Sequence, residues 1–395
     1  MSVDALYGVR VLDFTWVLAG PYATRILADF GAEVIKVQSQ KTAYGAESNA
    51  NGYFNTWNRN KLGITLDLSQ PEGREMVLKL VGISDVVIEN FAPRVMSNLN
   101  LSYDDLKQVR PDLIMLSMSG MGQTGPWRDL SAFGPTIQAL SGLTHLTSFA
   151  QDTPIGLGSS YADHVAGLLA ALAILVALDY RDRTGKGQYI DTSEYEAMCT
   201  LLGPAIMDYT VNHNLVTPQG NRPDYALAAP YGCYRCQGDD RWCVIAVFNE
   251  AEWHALCGIL GNPPWTKEDR FSTLAQRREH ADELDELLGQ WTVKHTPEEI
   301  MERLQEAGIA AGVVKDARDV AQDPQLVARN FFIEVLHPVL GKTTFDSTPI
   351  RLSGTPGRFQ RPAPLLGQDN RYVYQELLGL SEPELSRYIK DGIIA

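Results

Sequence analysis

The feature that most constrains the fold is a regular alternation of short β-rich runs with helical stretches between residues 8 and 120. Separated strands of this kind pair in parallel, so the alternation predicts an α/β fold with a largely parallel sheet and helices on both faces. The predicted strands are Val9–Phe14, Glu33–Val37, Gly63–Leu66, Asp85–Ile88 and Leu113–Met118, and the predicted helices are Tyr22–Phe30, Pro71–Val81 and Tyr103–Val109.

The rest of the chain has a different pattern. Longer helices are predicted at 135–142, 161–180 and 193–210, followed by a Pro/Gly/Asn-rich linker at 217–232. A hairpin is predicted next, in YGCYRC, QGDD and RWCVIAVF, and then helices at 250–261, 275–291 and 297–307. We therefore expect a large domain over 1–216, a small α+β domain over 217–328 and a C-terminal segment over 329–395.

Charge and composition exclude several classes of protein. The net charge is -14, with 34 basic and 48 acidic residues, whereas a non-specific nucleic-acid binder needs a basic face. The N-terminus lacks the pattern of a signal peptide, and the apolar run Val165–Leu178 is short for a bilayer and typical of a buried core helix. Five cysteines do not form a disulfide framework in a chain of this length. We expect a cytoplasmic protein with no nucleic-acid or membrane partner.

The sequence motifs of several common enzyme classes and of metal sites are absent or incomplete. Cys233 and Cys236 form a C-x-x-C pair, but a structural zinc site needs four ligands, so we expect buried thiols and no metal. The chain has no Walker loop, no G-x-S-x-G and no G-x-G-x-x-G after the first strand, which disfavours a kinase, a hydrolase of that type or a dehydrogenase.

One short segment does suggest chemistry. Gly156 to Asp163, GLGSSYAD, leads directly into the apolar helix, and Ser159 or Ser160 suits the N-cap. Asp163 then lies in the first helical turn, where the helix dipole and free N–H groups favour the carboxylate form. Two interpretations remain open at this point: a nucleophile, or a charge that only stabilises the helix end.

An ordered series of motifs resembles the family III (class III) CoA-transferases, which include formyl-CoA transferase, carnitine CoA-transferase and α-methylacyl-CoA racemase. The resemblance implies a Rossmann-like large domain built from both chain ends, a small middle domain, and two protomers interlocked as rings. The motifs are Gly8–Val37, Asn58–Glu75, Asp85–Pro93, Gly120–Pro126, Gln138–Leu143, the Asp163 helix with its exit Arg181–Asp191, and Arg361–Asn370.

The resemblance also implies a reaction and a set of site residues. Coenzyme A would pass from an acyl-CoA to a carboxylic acid through a mixed anhydride and an aspartyl-CoA thioester on Asp163. CoA is then a substrate, and no cofactor is permanently bound. The implied CoA contacts are Val17, Leu18, Ala19, Leu66, Asn90, Phe91 and Gln138, with Arg94, or Arg59 and Lys61, for the phosphates.

Departures from the family pattern narrow the activity. Formyl-CoA transferase has a glutamine at the position of Leu18 and a glycine-rich lid that is absent here, so oxalate and formate are not expected substrates. Phe133 and Gly134 replace the histidine–aspartate pair of the racemases, which argues against an acyl-CoA racemase. The hairpin is most similar to the benzylsuccinate CoA-transferase branch, with succinyl-CoA as donor. A non-catalytic partner subunit remains an alternative, against which the retention of Asp163 argues.

Overall fold

The structure is a computed structural model that describes residues 4–149, 153–218, 220–222 and 227–395. Its main sheet has six parallel strands in the order β3-β2-β1-β4-β5-β6. This is the strand order of a Rossmann fold, so the predicted α/β, Rossmann-like class is confirmed. The strands are β1 (Arg10–Asp13), β2 (Glu33–Gln38), β3 (Leu62–Thr65), β4 (Val86–Glu89), β5 (Ile114–Ser119) and β6 (Tyr189–Ser193).

Helices before the linker connect these strands and cover the sheet. All five strands predicted before residue 120 are present, and so are the three helices predicted between them. The predicted helix at 193–210 is wrong as a single element, since a 3₁₀ turn at Thr200–Leu202 divides it in two. The helices are α1 (Ala19–Asp29), α2 (Gly52–Trp57), α3 (Pro71–Gly82), α4 (Val95–Asn98), α5 (Tyr103–Val109), α6 (Gly134–Leu140), α7 (Leu143–Leu146), α8 (Tyr161–Thr184), α9 (Glu194–Cys199) and α10 (Gly203–Asn212).

Each face of the main sheet carries its own apolar core, because successive side chains of a strand point to opposite faces. Val11, Ile88 and Leu116 pack with residues of α1 and α8 on one face. Leu12, Val87 and Met115 point to the other face, where α3, α5 and the end of the chain pack.

Among the described residues, those within 145–155 and 217–324 form one compact unit, and those within 1–144, 156–216 and 325–395 form another. The antiparallel sheet of the first unit contains the predicted hairpin and a third strand that was not predicted. The predicted helix at 275–291 is again two helices. The elements are β7 (Tyr231–Arg235), β8 (Trp242–Ala246), α11 (Glu250–Ile259), α12 (Leu274–Glu279), α13 (Ala281–Thr292), α14 (Pro297–Glu306), β9 (Ala310–Val313) and α15 (Ala317–Ala321).

The last part of the chain returns to the core of the main sheet. After α16 (Pro324–Ala328), β10 (Phe332–His337) and β11 (Gly341–Asp346) form an antiparallel pair. A π-helix at Tyr372–Leu377 and α17 (Glu382–Lys390) follow. Tyr374 is fully buried, and its hydroxyl donates to the Thr65 carbonyl oxygen at 2.8 Å.

Helix α8 is long and apolar enough to cross a membrane by length and composition alone. Its inner face packs on α1, where a Cβ atom on Gly167 would come within 2.7 Å of the Ala19 carbonyl oxygen. Its outer face is not buried, since Leu172 and Val176 are 56% and 59% exposed. The expected core helix is therefore buried on one face only.

Candidate active site

The order of the strands reverses between β1 and β4, and a crevice forms at such a switch point beyond the carboxyl ends of the strands. The loops that follow β1 and β4 are joined by two hydrogen bonds. The Trp16 N–H donates to Asn90 Oδ1 at 2.9 Å, and Asn90 Nδ2 donates to the Trp16 carbonyl oxygen at 3.0 Å. Asn90 thus fixes the loop that leads into α1.

The loop after β1 is held in an uncommon conformation. Val17 has a φ of 62°, which a β-branched residue rarely adopts and which costs on the order of 1–3 kcal/mol. Its N–H donates to Glu47 Oε1 at 2.8 Å. Since Val17 already has a partner, the N–H groups that the loop can offer to a ligand are those of the residues that open α1.

A buried charge network lies under this loop. Lys61 Nζ is 3.0 Å from Asp13 Oδ2, and both side chains are fully buried. Burial acts to raise the pKa of Asp13, but Lys61, Lys36 and hydroxyl groups hold it below its usual value. Lys36 Nζ also donates to the Thr15 carbonyl oxygen at 2.6 Å, which anchors the first residue of the loop proper.

Asp163 lies in the first turn of α8, after Ser160 at the N-cap position. The Ser160 side chain makes no capping bond to the helix backbone; instead its hydroxyl and the Ala19 N–H favour the charged form of the Asp163 carboxyl. Nevertheless Oδ2 of Asp163 is buried and has no hydrogen-bond partner. One carboxyl oxygen is therefore buried and unsatisfied beside the N-terminus of α1.

The pKa of Asp163 differs from the expectation drawn from its helix position. Burial raises this pKa above its usual value, and the backbone N–H groups, His164 and Ser160 only partly offset the effect. Loss of hydration disfavours a carboxylate more than the end of one helix favours it at this position. The consequence is a poorly solvated, more basic carboxylate, which is a better nucleophile.

Two residues near Asp163, Tyr53 and Glu194, carried no signal in the sequence. Tyr53 has a pKa raised to about 12 by burial, Asp163 and Glu47. Glu194 is buried, and its pKa is raised to about 8 by burial and by Asp163. The spacing of apolar residues could not have identified Tyr53 and Glu194. What the two share is proximity to Asp163, which lies on a different helix from either of them.

His164 has a packing environment of its own. Its ring lies 5.2 Å from the ring of Tyr22 and 5.3 Å from that of Trp57, both measured between centroids. Its Nδ1 lies 2.9 Å from the Ser160 carbonyl oxygen. His164 is therefore part of an aromatic cluster with Tyr22 and Trp57.

The other predicted contacts lie at several places around the switch point. Leu18 and Ala19 are buried at the start of α1, and Gln138 is buried and accepts from the Tyr161 N–H at 3.0 Å. The Phe91 ring lies 6.5 Å from that of Trp16. Leu66 packs within the core of the sheet face opposite α8.

The basic candidates differ in accessibility. Arg59 is buried and paired with Asp29 at 2.7 Å, and Lys61 is paired with Asp13, so both stabilise the interior. Arg94 is exposed and lies 2.7 Å from Asp129. It also lines a cavity of about 240 Å³ together with Glu89 and Tyr103.

No group of three or more His, Cys, Asp or Glu side chains that could hold a metal ion is found among the described residues. The five cysteines form no disulfide, and Cys236, Cys243 and Cys257 are buried.

Comparison with known proteins identifies the arrangement. Residues 6–370 match the family model described as CoA-transferase family III. The chain belongs to CoA-transferase family III. It is 37% identical over 386 residues to the succinyl-CoA–D-citramalate CoA-transferase of Chloroflexus aurantiacus, covering 96% of this chain and 95% of that protein.

Two further similarities extend the family assignment. The alpha subunit of the succinyl-CoA–L-malate CoA-transferase of Chloroflexus aurantiacus is 33% identical over 398 residues, covering 98% of this chain and 92% of that protein. The crystal structure of a CAIB/BAIF family protein from Brucella suis superposes with a TM-score of 0.88 at 32% identity, covering 95% of this chain and all of that one. The fold and the family of this CoA-transferase thus agree with the resemblance seen in its motifs.

Proposed function

We propose that this protein transfers coenzyme A from an acyl-CoA to a carboxylic acid in the cytoplasm, with Asp163 as the covalent nucleophile. The observation that carries the proposal is the buried, partnerless Oδ2 of Asp163 beside the N-terminus of α1. A carboxylate that served only as a helix cap would have its oxygens satisfied by N–H groups or water.

In the first half of the reaction, a carboxylate oxygen of Asp163 attacks the thioester carbonyl carbon. The C–S bond breaks, CoA leaves as a thiolate, and a mixed anhydride remains. The thiolate then attacks the side-chain carbonyl carbon of Asp163, so that the first acid departs as its carboxylate. The product is an aspartyl-CoA thioester, which conserves the free energy of the original thioester.

In the second half, the acceptor carboxylate attacks the aspartyl thioester and releases the thiolate again. The thiolate attacks the acyl carbon of the acceptor, which leaves as its CoA ester and restores the Asp163 carboxylate. The sequence involves no net proton transfer and no net hydrolysis. Because water would cleave both the anhydride and the thioester, the partial burial of the Asp163 side chain helps to protect the intermediates.

Each attack places negative charge on a carbonyl oxygen. The backbone N–H groups of Leu18 and Ala19 lie at the start of α1, where the first N–H groups of a helix lack intrahelical acceptors. The Val17 N–H is bonded to Glu47, whereas the Ala19 N–H already interacts with the Asp163 carboxyl group, so we assign the Leu18 and Ala19 N–H groups to the oxyanion. The hydrogen bonds between Trp16 and Asn90 hold the loop in position.

CoA is assigned to the crevice at the switch point. Val17, Leu18, Ala19, Asn90 and Phe91 line the two loops at its mouth, which supports their role as CoA contacts. Arg94 is exposed and can meet a phosphate if it exchanges its ion pair with Asp129. Leu66 and Gln138 act by shaping the walls, since both side chains are buried.

The relatives suggest a class of substrate. D-citramalate and L-malate in their names are both hydroxylated dicarboxylic acids, and both names give succinyl-CoA as the donor. We therefore assign succinyl-CoA as the donor and a short dicarboxylic acid as the acceptor. A screen of dicarboxylic, aromatic and one-carbon acids, read by chromatography of the CoA esters, tests this assignment.

The assembly is assigned as an interlocked homodimer. The outer face of α8 exposes Leu168, Leu172, Leu175 and Val176, each at least 40% exposed, and apolar faces of this kind mark protein interfaces. We assign a second copy of this chain to the face, because Asp163 is retained and no unlike subunit is needed for chemistry. Assay of the purified chain alone distinguishes this assembly from a pair of unlike subunits.

Trapping the intermediate tests the nucleophile. Incubated with succinyl-CoA and no acceptor, the enzyme should accumulate CoA as a thioester on Asp163, which borohydride reduces and peptide mass mapping places in SSYADHVAGLL. Asp163→Asn should lower transfer by about 10³-fold or more while CoA still binds. Asp179→Asn, at an exposed position of the same helix, is the matched control and should transfer normally. A label on another residue, or near-normal turnover of Asp163→Asn with deamidation excluded, would show that Asp163 is a helix-end charge.

A further inference from the structure

Glu194 is a buried carboxyl group that the transfer mechanism above does not use. It is the first residue of α9, directly after β6, and only 8% of its surface is exposed. Within the described part of the chain, no lysine, arginine or histidine forms an ion pair with it. Burial of an unpaired carboxylate is costly, so such a group tends to bind a proton instead.

The packing of α9 directs this carboxyl group towards Asp163. Met198 lies four residues after Glu194, so the two side chains share one face of the helix. Met198 packs in a cluster with Ala162, which directly precedes Asp163, and with Ile137 of α6. Glu194 therefore lies one turn before Met198, on the same face of α9, which packs against α8, the helix that carries Asp163.

α6 adds a second geometric constraint. Gly134, one turn before Ile137, lies so close to Asp163 that a Cβ atom there would overlap Oδ2. The start of α6, the start of α8 and the start of α9 thus meet around the Asp163 carboxyl group. Glu194 is buried in this junction, and Asp163 is half-buried there with its Oδ2 atom enclosed, so two negative charges would repel strongly.

The charged and titratable neighbours of Glu194 are few. Helix α6 has no titratable side chain, and on α8 the His164 ring packs on Tyr22 and Trp57. Asp163 is the charge that, after burial, raises the pKa of Glu194 to about 8. The remaining titratable groups on α9 and β6 are Tyr189, Asp191, Tyr195, Glu196 and Cys199.

We propose that Glu194 is a positioning residue for transfer, which sustains the reaction as a neutral carboxylic acid and opposes it once ionised. This inference rests on the proposed role of Asp163. In both half-reactions an anionic carboxylate must lie beside Asp163 or its thioester. A second fixed negative charge at the junction would repel that anion and would also disfavour the leaving thiolate.

The proposal predicts a pH profile that depends on one residue. The wild-type transfer rate should fall by about tenfold between pH 7 and pH 9.5, with a midpoint near the Glu194 pKa of about 8. Glu194→Gln keeps the shape and the hydrogen-bonding capacity but cannot ionise. It should retain the rate at pH 7 within about threefold and lose the alkaline decline.

Glu196→Gln is the matched control, because it removes an exposed carboxylate from the same helix. It should keep both the rate and the alkaline decline of the wild type. An alkaline decline that survives in Glu194→Gln would overturn the proposal, and so would a large loss of rate at pH 7 in a folded Glu194→Gln protein. If that variant does not fold, Glu194→Met, which keeps the volume without charge, takes its place.

Infrared spectroscopy provides a readout that does not depend on turnover. The difference between the wild-type and Glu194→Gln spectra should contain the carbonyl band of a neutral carboxylic acid at pH 7, and that band should titrate near pH 8. Taking the difference removes the band of Glu89, the pKa of which burial raises to about 7. Titration of that band below pH 6 would overturn the proposal even if transfer proceeds. If no acyl-CoA supports transfer by the wild type, the proposed function fails, while the infrared titration still decides the state of Glu194.

Discussion

Gly134 leaves no room for a side chain beside Asp163, since a Cβ atom on Gly134 would overlap Oδ2 of the aspartate. The φ angle of Gly134 is ordinary, so the glycine is required by this close approach and not by the backbone conformation. The same Cβ would also lie 3.0 Å from Ser160 Cβ. The start of α6 thus sets the orientation of the proposed nucleophile.

Gly134→Ala should therefore damage transfer much more than it damages stability. The Asp163 side chain can rotate away from the new methyl group, which misplaces the attacking oxygen by about 1 Å and lowers kcat by about 100-fold. Steady-state kinetics and thermal unfolding measure the two effects. Gly289→Ala, where a Cβ atom meets nothing within 4 Å, should leave kcat unchanged. Equal kcat values for the two variants would contradict the steric role of Gly134.

The buried Lys61–Asp13 pair predicts a large stability effect. Lys61→Met removes the ion-pair partner of the buried Asp13 carboxylate and should lower the free energy of unfolding by about 3–5 kcal/mol at pH 7. The deficit should shrink at pH 5, because an unpaired Asp13 can bind a proton there. Urea unfolding at the two pH values tests this. Lys107→Met removes an exposed partner of Asp104 and should leave the urea unfolding midpoint nearly unchanged.

Glu194 should make stability depend on pH in a defined direction. Its pKa is about 8 in the folded protein against an ordinary value of 4.5, so the folded state holds the proton more tightly. Stability is therefore lost as the pH rises from about 4.5 to about 8. The free energy of unfolding of Glu194→Gln should exceed that of the wild type by roughly 3–5 kcal/mol at pH 9, because one pKa unit corresponds to about 1.4 kcal/mol. The two free energies should be equal near pH 4. Thermal unfolding of both proteins across this pH range measures the effect. If the melting temperatures of the wild type and Glu194→Gln changed with pH in parallel, the prediction would be contradicted.

The proposed interlocked homodimer predicts that dilution does not release monomers, because separation would require unfolding. Sedimentation velocity should give a dimer at every concentration. Leu172→Glu places a charge on the exposed apolar face of α8 and should prevent assembly. Asp179→Asn changes a position of α8 that is already polar and should not prevent it. A fraction of monomer that increases as the wild-type protein is diluted would contradict interlocking.

Much of the fold could be predicted from the sequence, because its signals are local. The five strands and three helices before residue 120 were predicted from apolar runs, and the first-turn position of Asp163 was predicted from the motif before α8. The strand β9 was missed, since its sequence AAGV has little β-forming character and becomes a strand by pairing with β8. The helix predicted over 193–210 was wrong, because periodicity does not register a 3₁₀ turn.

The class of the fold, the family and the candidate nucleophile can be inferred from the amino-acid sequence. The surroundings of that nucleophile cannot: the glycine of α6 against Oδ2, the Ala19 N–H group and the buried carboxyl group of Glu194 are brought to it by folding. The helix end alone predicts a lowered pKa for Asp163, yet burial raises it. The reason is physical: helix propensity and capping act between neighbours in sequence, whereas desolvation and repulsion depend on segments that come together only when the chain is folded.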